Sequence, residues 1–258
     1  MISVIIAGFN GTMGQKAVQL ITASPEFQLA GAYNPHVTSR RATDYGLDGA
    51  VSIYNDLQQI TTPADVWLDF STPGGVANNA QFAITQGMHP VIGTSGLTAE
   101  QQHRLQATAN ARQLGGIIAP NFGVTAVLMM KFAQQAATYL KRAEIVEYHH
   151  EDKLDAPSGT ALNTARLIYA AQQADEPQPS SEQDLLGTRG GDYHGIKIHA
   201  VRLPGFVADE EVIFGGPGET LTIKQSTTDR QSFMAGVKLA ITAVMQRQDL
   251  VIGLENIL

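Results

Sequence analysis

The 258-residue chain contains no cysteine. That absence removes disulfides, thiolate nucleophiles and cysteine-based metal sites together. Charge is also sparse: 16% of residues are Asp, Glu, Lys or Arg, and the net charge is −7. An acidic balance argues against nonspecific nucleic-acid binding, while a local basic pocket for a small anion stays possible. The apolar start, Met1-Ile-Ser-Val-Ile-Ile-Ala-Gly8, has no basic leader and reaches glycine after seven residues. It is too short for a signal peptide or a membrane span, so a soluble, cytoplasmic protein with no membrane partner is expected. Internal repeats, low-complexity tracts and coiled-coil heptads are missing as well.

What is present suits a packed α/β protein. Hydrophobic residues make up 43% of the chain, and its length suggests one large or two modest domains. Residues 2–7 form a continuous apolar run rich in β-branched side chains, the pattern of a strand buried on both faces of a parallel sheet. A glycine turn, a helical stretch from Gln15 to Ala23 and a second strand from Gln28 to Tyr33 follow. Together they read as a βαβ unit. Strands at Ala64–Phe70, His89–Gly93 and Gly115–Ala119 then alternate with helices at Val76–Gln86 and Thr98–Gln113, with Thr98 and Gln101 placed for a capping box. The alternation predicts a Rossmann-type, doubly wound parallel sheet.

A helix from Val124 to Lys141 leaves that pattern. A strand ending at His149 and His150, a helix Thr160–Ala174 and a proline-rich loop Asp175–Glu182 come next. Strands at Ile196–Leu203, Glu211–Phe214 and Thr220–Gln225 then succeed one another without helices between them, which predicts a second, α+β domain with a mixed or antiparallel sheet. Leu221, Ile223 and Gln225 alternate with Thr220, Thr222 and Lys224, as in a sheet with one wetter face. The last helix, Ser232–Arg247, carries an apolar stripe through Phe233, Val237, Leu239, Ile241 and Val244 and is expected to return to the first domain. The expected division is 1–122 with 231–258, and 123–230.

Two constellations carry chemistry. The first is Gly8-Phe-Asn10-Gly11-Thr12-Met13-Gly14, where glycines allow a tight turn and close approach of a pyrophosphate to a helix start. It departs from G-x-G-x-x-G, since Asn10 and Met13 replace the second and third glycines. A cofactor loop and a plain glycine turn both fit it. Where a ribose-binding acid is expected stands Asn34, with Arg40 and Arg41 downstream, so NAD and NADP are not distinguished. The second is the stretch from Glu144 to Ala161. Ile145, Glu147 and His149 share one strand face while Tyr148 and His150 point the other way. Lys153 is near, and Ser158-Gly159-Thr160 opens a helix whose N–H groups suit a carboxylate. Histidine and lysine beside such a helix start suit proton delivery to a small dianion. A metal site from His149, His150 and Glu147 or Glu151 lacks the helical His-x-x-x-His pattern, and Ser158 lacks a G-x-S-x-G elbow. The residues alone therefore lead to a nucleotide domain plus an anion pocket. A dehydrogenase acting on another amino or keto acid and a noncatalytic nucleotide sensor both remain open.

The run Glu147-Tyr-His149-His150-Glu-Asp-Lys153-Leu-Asp155-Ala-Pro157-Ser158-Gly159-Thr160-Ala161 closely resembles the signature of the 4-hydroxy-tetrahydrodipicolinate (dihydrodipicolinate) reductase family of bacterial lysine and diaminopimelate synthesis. The resemblance extends along the chain. Gly8–Gly14 looks like that family's cofactor loop, and Gly93-Thr94-Ser95-Gly96 and Ala119-Pro120-Asn121-Phe122 look like its later nucleotide contacts. It implies hydride transfer from NADH or NADPH to a small cyclic dicarboxylate and a proton added at the neighbouring ring carbon. By position, it implies His149 as acid/base residue and Lys153 as proton donor, with His150, Ser158, Gly159 and Thr160 holding the substrate. Gly8, Asn10, Gly11, Thr12, Met13 and Asn34 would join the later loops in holding the cofactor, with no metal. A homotetramer joined through the second sheet, and a site in the cleft between the domains, are further expectations of the resemblance. Asn34 and Gln225 depart from it, where an acid and a histidine are expected.

Overall fold

The computed structural model describes residues 1–172, 184 and 186–258. The chain forms two compact units, Met1–Phe122 with Phe233–Leu258, and Gly123–Ser232. The first begins with β1 (Ile2–Ala7), α1 (Thr12–Ala23), β2 (Phe27–Tyr33) and β3 (Ser52–Tyr54). It continues with β4 (Val66–Asp69), α2 (Val76–Thr85), β5 (His89–Ile92), α3 (Ala99–Ala111) and β6 (Gly116–Ile118). The second unit holds α4 (Val124–Ala137), β7 (Arg142–His149), α5 (Gly159–Gln172), β8 (Gly191–Tyr193), β9 (Ile196–Arg202), β10 (Ala208–Gly216) and β11 (Glu219–Thr227). The chain then returns to the first unit with α6 (Phe233–Val244) and β12 (Leu250–Ile252).

In the first unit seven parallel strands run in the order β12-β6-β5-β4-β1-β2-β3. β1 lies inside the sheet, and Val4, Ile5 and Ile6 are 0% exposed, which suits their consecutive β-branched side chains. Each such side chain contributes about 1.5–3 kcal/mol through burial. Strand order reverses between β1 and β4, and at such a switch point the carboxyl ends of the strands leave a ligand crevice. α3 opens with the reciprocal capping box of Thr98 and Gln101. No described helix is long and apolar enough to cross a membrane.

The second unit is a mixed five-stranded sheet in the order β11-β10-β7-β9-β8, with β7 and β9 parallel and the other pairs antiparallel. α4 and α5 pack on each other and against it. Alternate residues Ala143, Ile145 and Glu147 of β7 are buried, and Val212 and Phe214 of β10 join them.

Several expectations need correction. Leu239 is 44% exposed; the buried stripe of α6 runs through Met234, Val237, Ala240, Ile241 and Val244. Leu221 is 42% exposed, so the inward row of β11 is confined to Gln225, Thr227 and the half-buried Ile223. Strands β3, β8 and β12 were not anticipated, because three residues are too few to carry a period. The expected continuation of α5 to Ala174 and the loop Asp175–Glu182 lie outside the described residues, apart from the helix up to Gln172.

Candidate active site

The glycine turn after β1 is dictated by its own packing. Gly8 has φ +74°, and a Cβ there would sit 2.3 Å from the Phe70 carbonyl oxygen. A Cβ at Gly14 would lie 2.1 Å from the Gly8 carbonyl oxygen. Helix α1 therefore starts flush against the turn. Its N-cap, Gly11, supplies no side-chain acceptor, and its first turn holds no acid. The uncapped N–H groups and the helix dipole at such a start suit a phosphate, so the loop fits a dinucleotide pyrophosphate.

Asn34 donates from Nδ2 to Asn10 Oδ1 at 2.5 Å and accepts the His36 N–H at 2.9 Å. An aspartate could not make the first of these bonds, which gives the departure at this position a local physical reason. Arg40 is bound by Asn55 at 2.9 Å and by Gln59, two neutral acceptors.

The loops after β4 and β5 are joined by a buried carboxylate that sequence reasoning passed over. Asp69 is 0% exposed. It accepts from Trp67 Nε1 (3.0 Å), Ser71 N and Oγ (3.0 and 2.6 Å), Asn79 Nδ2 (2.9 Å) and Thr94 Oγ1 (2.8 Å). Five neutral donors thereby fix Ser71 and Thr94 at adjacent strand ends. Phe122 packs edge-on against Phe70, 5.9 Å between ring centres, and brings the loop after β6 to the same end of the sheet. Gly8, Asn10, Asn34, Thr94 and Phe122 thus gather at one edge. Ser95 and Pro120 are exposed there, and Ala119 is buried beneath.

In the second unit the centre is Glu147, 0% exposed on β7. Arg202 of β9 forks onto it, Nη1 to Oε2 at 2.9 Å and Nη2 to Oε1 at 2.7 Å. Ser158 N donates to Oε1 at 3.1 Å, and His149 Nδ1 contacts Oε2. Burial pushes the Glu147 carboxyl up, but the hydrogen bonds and charges of His149 and Arg202 outweigh it and hold the group below the usual range. An ionised carboxylate only accepts, so His149 donates from Nδ1 and its Nε2 is left for chemistry.

Lys153 Nζ binds Asp155 Oδ1 at 2.7 Å, and this bond first of all holds the Asp155 carboxyl below its usual range. Arg202 also donates to the Asp155 carbonyl at 2.8 Å, tying the lysine turn to the same centre. Ser158 is 2% exposed, and its hydroxyl caps α5 by accepting the Ala161 N–H at 3.2 Å. Gly159 is exposed at the helix start, and Thr160 is half-buried beside it.

The first half of the chain, residues 2–122, matches the family profile described as Dihydrodipicolinate reductase, N-terminus, and residues 125–258 match Dihydrodipicolinate reductase, C-terminus. The chain belongs to the dihydrodipicolinate reductase family. It is 53% identical to the 4-hydroxy-tetrahydrodipicolinate reductase of Limosilactobacillus fermentum over 259 residues, covering 100% of both chains. It is 50% identical to that of Lactiplantibacillus plantarum over 261 residues, again covering 100% of both. A solved structure, dipicolinate-bound dihydrodipicolinate reductase from Paenisporosarcina sp. TG-14, superposes with TM-score 0.92 at 40% identity and full coverage of both chains. The family's C-terminal profile runs through α6 and β12, although these pack with the first unit.

Within the second unit, His149, Ser158 and Glu147 meet in one hydrogen-bonded cluster, and Lys153 joins it through Asp155 and Arg202. Arg202 and Asp155 were missed as members. Glu147 was legible, being two residues from His149 on one strand face. Arg202 enters only through the β7–β9 register, which pairs it with His149. Gln225, expected to be histidine, is buried and donates to the Ala208 carbonyl at 3.2 Å while accepting from Thr125 and Thr227 hydroxyls.

Proposed function

We propose that the chain catalyses NAD(P)H-dependent reduction of 4-hydroxy-tetrahydrodipicolinate to tetrahydrodipicolinate in lysine and diaminopimelate synthesis. The observation that carries the reading is the buried, Arg202-anchored Glu147 that holds His149 by Nδ1. Such a carboxylate fixes the tautomer and stabilises the imidazolium form, which equips Nε2 to give and take a proton. Lys153, steadied by Asp155, is the proton donor to the ring carbon next to the reduced one. His150, Gly159 and Thr160 hold the substrate's carboxylates, with Ser158 shaping the helix start that receives one of them.

Residues 1–122 and 231–258 are the dinucleotide-binding part, and 123–230 the substrate-binding part. When bound, the reduced nicotinamide supplies the hydride. Gly8, Asn10, Gly11, Thr12 and Met13 cradle its pyrophosphate, and Asn34 meets a ribose. Gly93, Thr94, Ser95, Ala119, Pro120, Asn121 and Phe122 line its further course. Both NADH and NADPH are accepted in this reading, since Asn34 binds a hydroxyl without repelling a phosphate. The protein works in the cytoplasm, as its sequence leads one to expect, and as a homotetramer, as the family resemblance implies.

The test is a coupled assay with dihydrodipicolinate synthase supplying the substrate, run with NADH and with NADPH. Cofactor oxidation that depends on the synthase product is expected. No turnover with either cofactor would sink the reading.

A further inference from the structure

One buried carboxyl group has no part in the chemistry above. Glu210 on β10 is 2% exposed and stands directly across from Glu147 in the antiparallel register. Facing side chains at such a pair lie roughly 5 Å apart on one face of the sheet. Two carboxyls are therefore neighbours where water does not reach, and the basic partners, Arg202 and His149, bind only one of them.

The other surroundings of Glu210 are neutral. Its second register partner is Gln225, whose amide is committed to Ala208, Thr125 and Thr227. α5 presents Thr164, and its one cation, Arg166, is exposed. α4 presents Thr125 to Gln225 and carries one titratable side chain, Lys131. On β10 itself, Asp209 and Glu211 alternate to the opposite face, where they bind Ser226 and Lys224. The charge that acts on Glu210 is that of Glu147.

The Thr164 hydroxyl indicates where the proton lies. Its oxygen is 3.0 Å from the Thr160 carbonyl oxygen and 2.5 Å from Glu210 Oε1. A hydroxyl has one proton and can serve only one of these acceptors. With Glu210 as a carboxylic acid, Glu210 donates to Thr164, Thr164 donates to Thr160, and both contacts are hydrogen bonds. Burial foremost, and also the charge of Glu147, push the Glu210 carboxyl up to about 7; Thr164 pulls the other way only when its hydroxyl turns to donate to the ionised form.

We propose that Glu210 is a positioning residue of the acid–base centre: as a neutral acid it leaves Glu147 the sole negative charge beside His149, and its ionisation adds a second charge that tightens His149's hold on its proton. A nearby negative charge favours imidazolium. Glu210 thus extends toward higher pH the range in which His149 has a proton to deliver.

The inference rests on the acid–base reading of His149 only for its effect on turnover, so the test includes measurements that need no turnover. Glu210→Gln places an amide N–H where the neutral acid donates to Thr164 and removes the titration. The His149 ring is followed by nitrogen NMR against pH in both proteins, alongside the pH profile of kcat/KM. The expected result is a His149 midpoint lower in the variant, with the basic limb of the profile moving the same way. Infrared spectra of the unaltered protein at about pH 6 should contain a protonated buried carboxyl band that titrates away near 7. An identical His149 midpoint in both proteins, or no such band, would overturn the proposal. A midpoint that moves while the kcat/KM profile stays fixed would support the coupling and remove His149 from its assigned role.

Discussion

The strand-end loops of the first unit and the His149 cluster of the second are each built around a fully buried carboxylate, Asp69 and Glu147. Their partners differ. Asp69 takes five hydrogen bonds from neutral donors, whereas Glu147 takes a bidentate arginine, a histidine and one backbone N–H. Neutral donors hold geometry and exchange no charge, so Asp69 is a fastening for Ser71 and Thr94. The arginine pairs the second carboxylate with a permanent charge, so that in the function proposed above proton movement at His149 is felt by a fixed counter-charge. The same residue chemistry is thus turned to shape in one unit and, in the function proposed above, to acid–base work in the other.

The comparison can be broken most severely at Arg202. Arg202→Leu leaves Glu147 as a buried charge without its main partner, and a loss of about 3–5 kcal/mol of stability is expected. Urea unfolding checks it; an unchanged midpoint would mean that Glu147 does not depend on the arginine. Asp69→Asn replaces one accepting oxygen with a donor facing donors, and about 1–3 kcal/mol is expected. This variant should also bind cofactor more weakly while an intact acid–base cluster keeps its pH profile, a split that titration of cofactor and of kcat against pH would reveal. The smallest effect belongs to Asn34→Asp. It removes the bond to Asn10 and adds a charge that repels a 2′-phosphate, so the kcat/KM ratio of NADPH to NADH should fall by roughly tenfold or less, within ~1.4 kcal/mol. A ratio that rises would contradict the placement of Asn34 at the ribose.

The first unit was largely legible because its strands are continuous apolar runs closed by glycine or small polar turns. Thr98 and Gln101 gave a helix start in advance, and the structure has that cap. The short strands were not legible, since Ser52–Tyr54, Gly191–Tyr193 and Leu250–Ile252 hold their places by pairing with neighbours distant in sequence. In the second unit the alternation on β7 put Glu147 and His149 on one face, as the hydrogen bond between them requires. What alternation could not supply was Arg202, 55 residues from Glu147. Leu239 and Leu221 misled for a related reason: apolar character marks a candidate for burial, and only the packing partners decide it.

The central claim is that the acid–base work belongs to the cluster around Glu147 and is separable from cofactor binding. It is tested most directly by measuring turnover and cofactor affinity side by side in His149→Gln. Turnover should drop by about 100-fold or more, the scale for losing a positioned general acid, with cofactor affinity unchanged. Near-normal turnover, or a loss of turnover matched by an equal loss of cofactor binding, would contradict it.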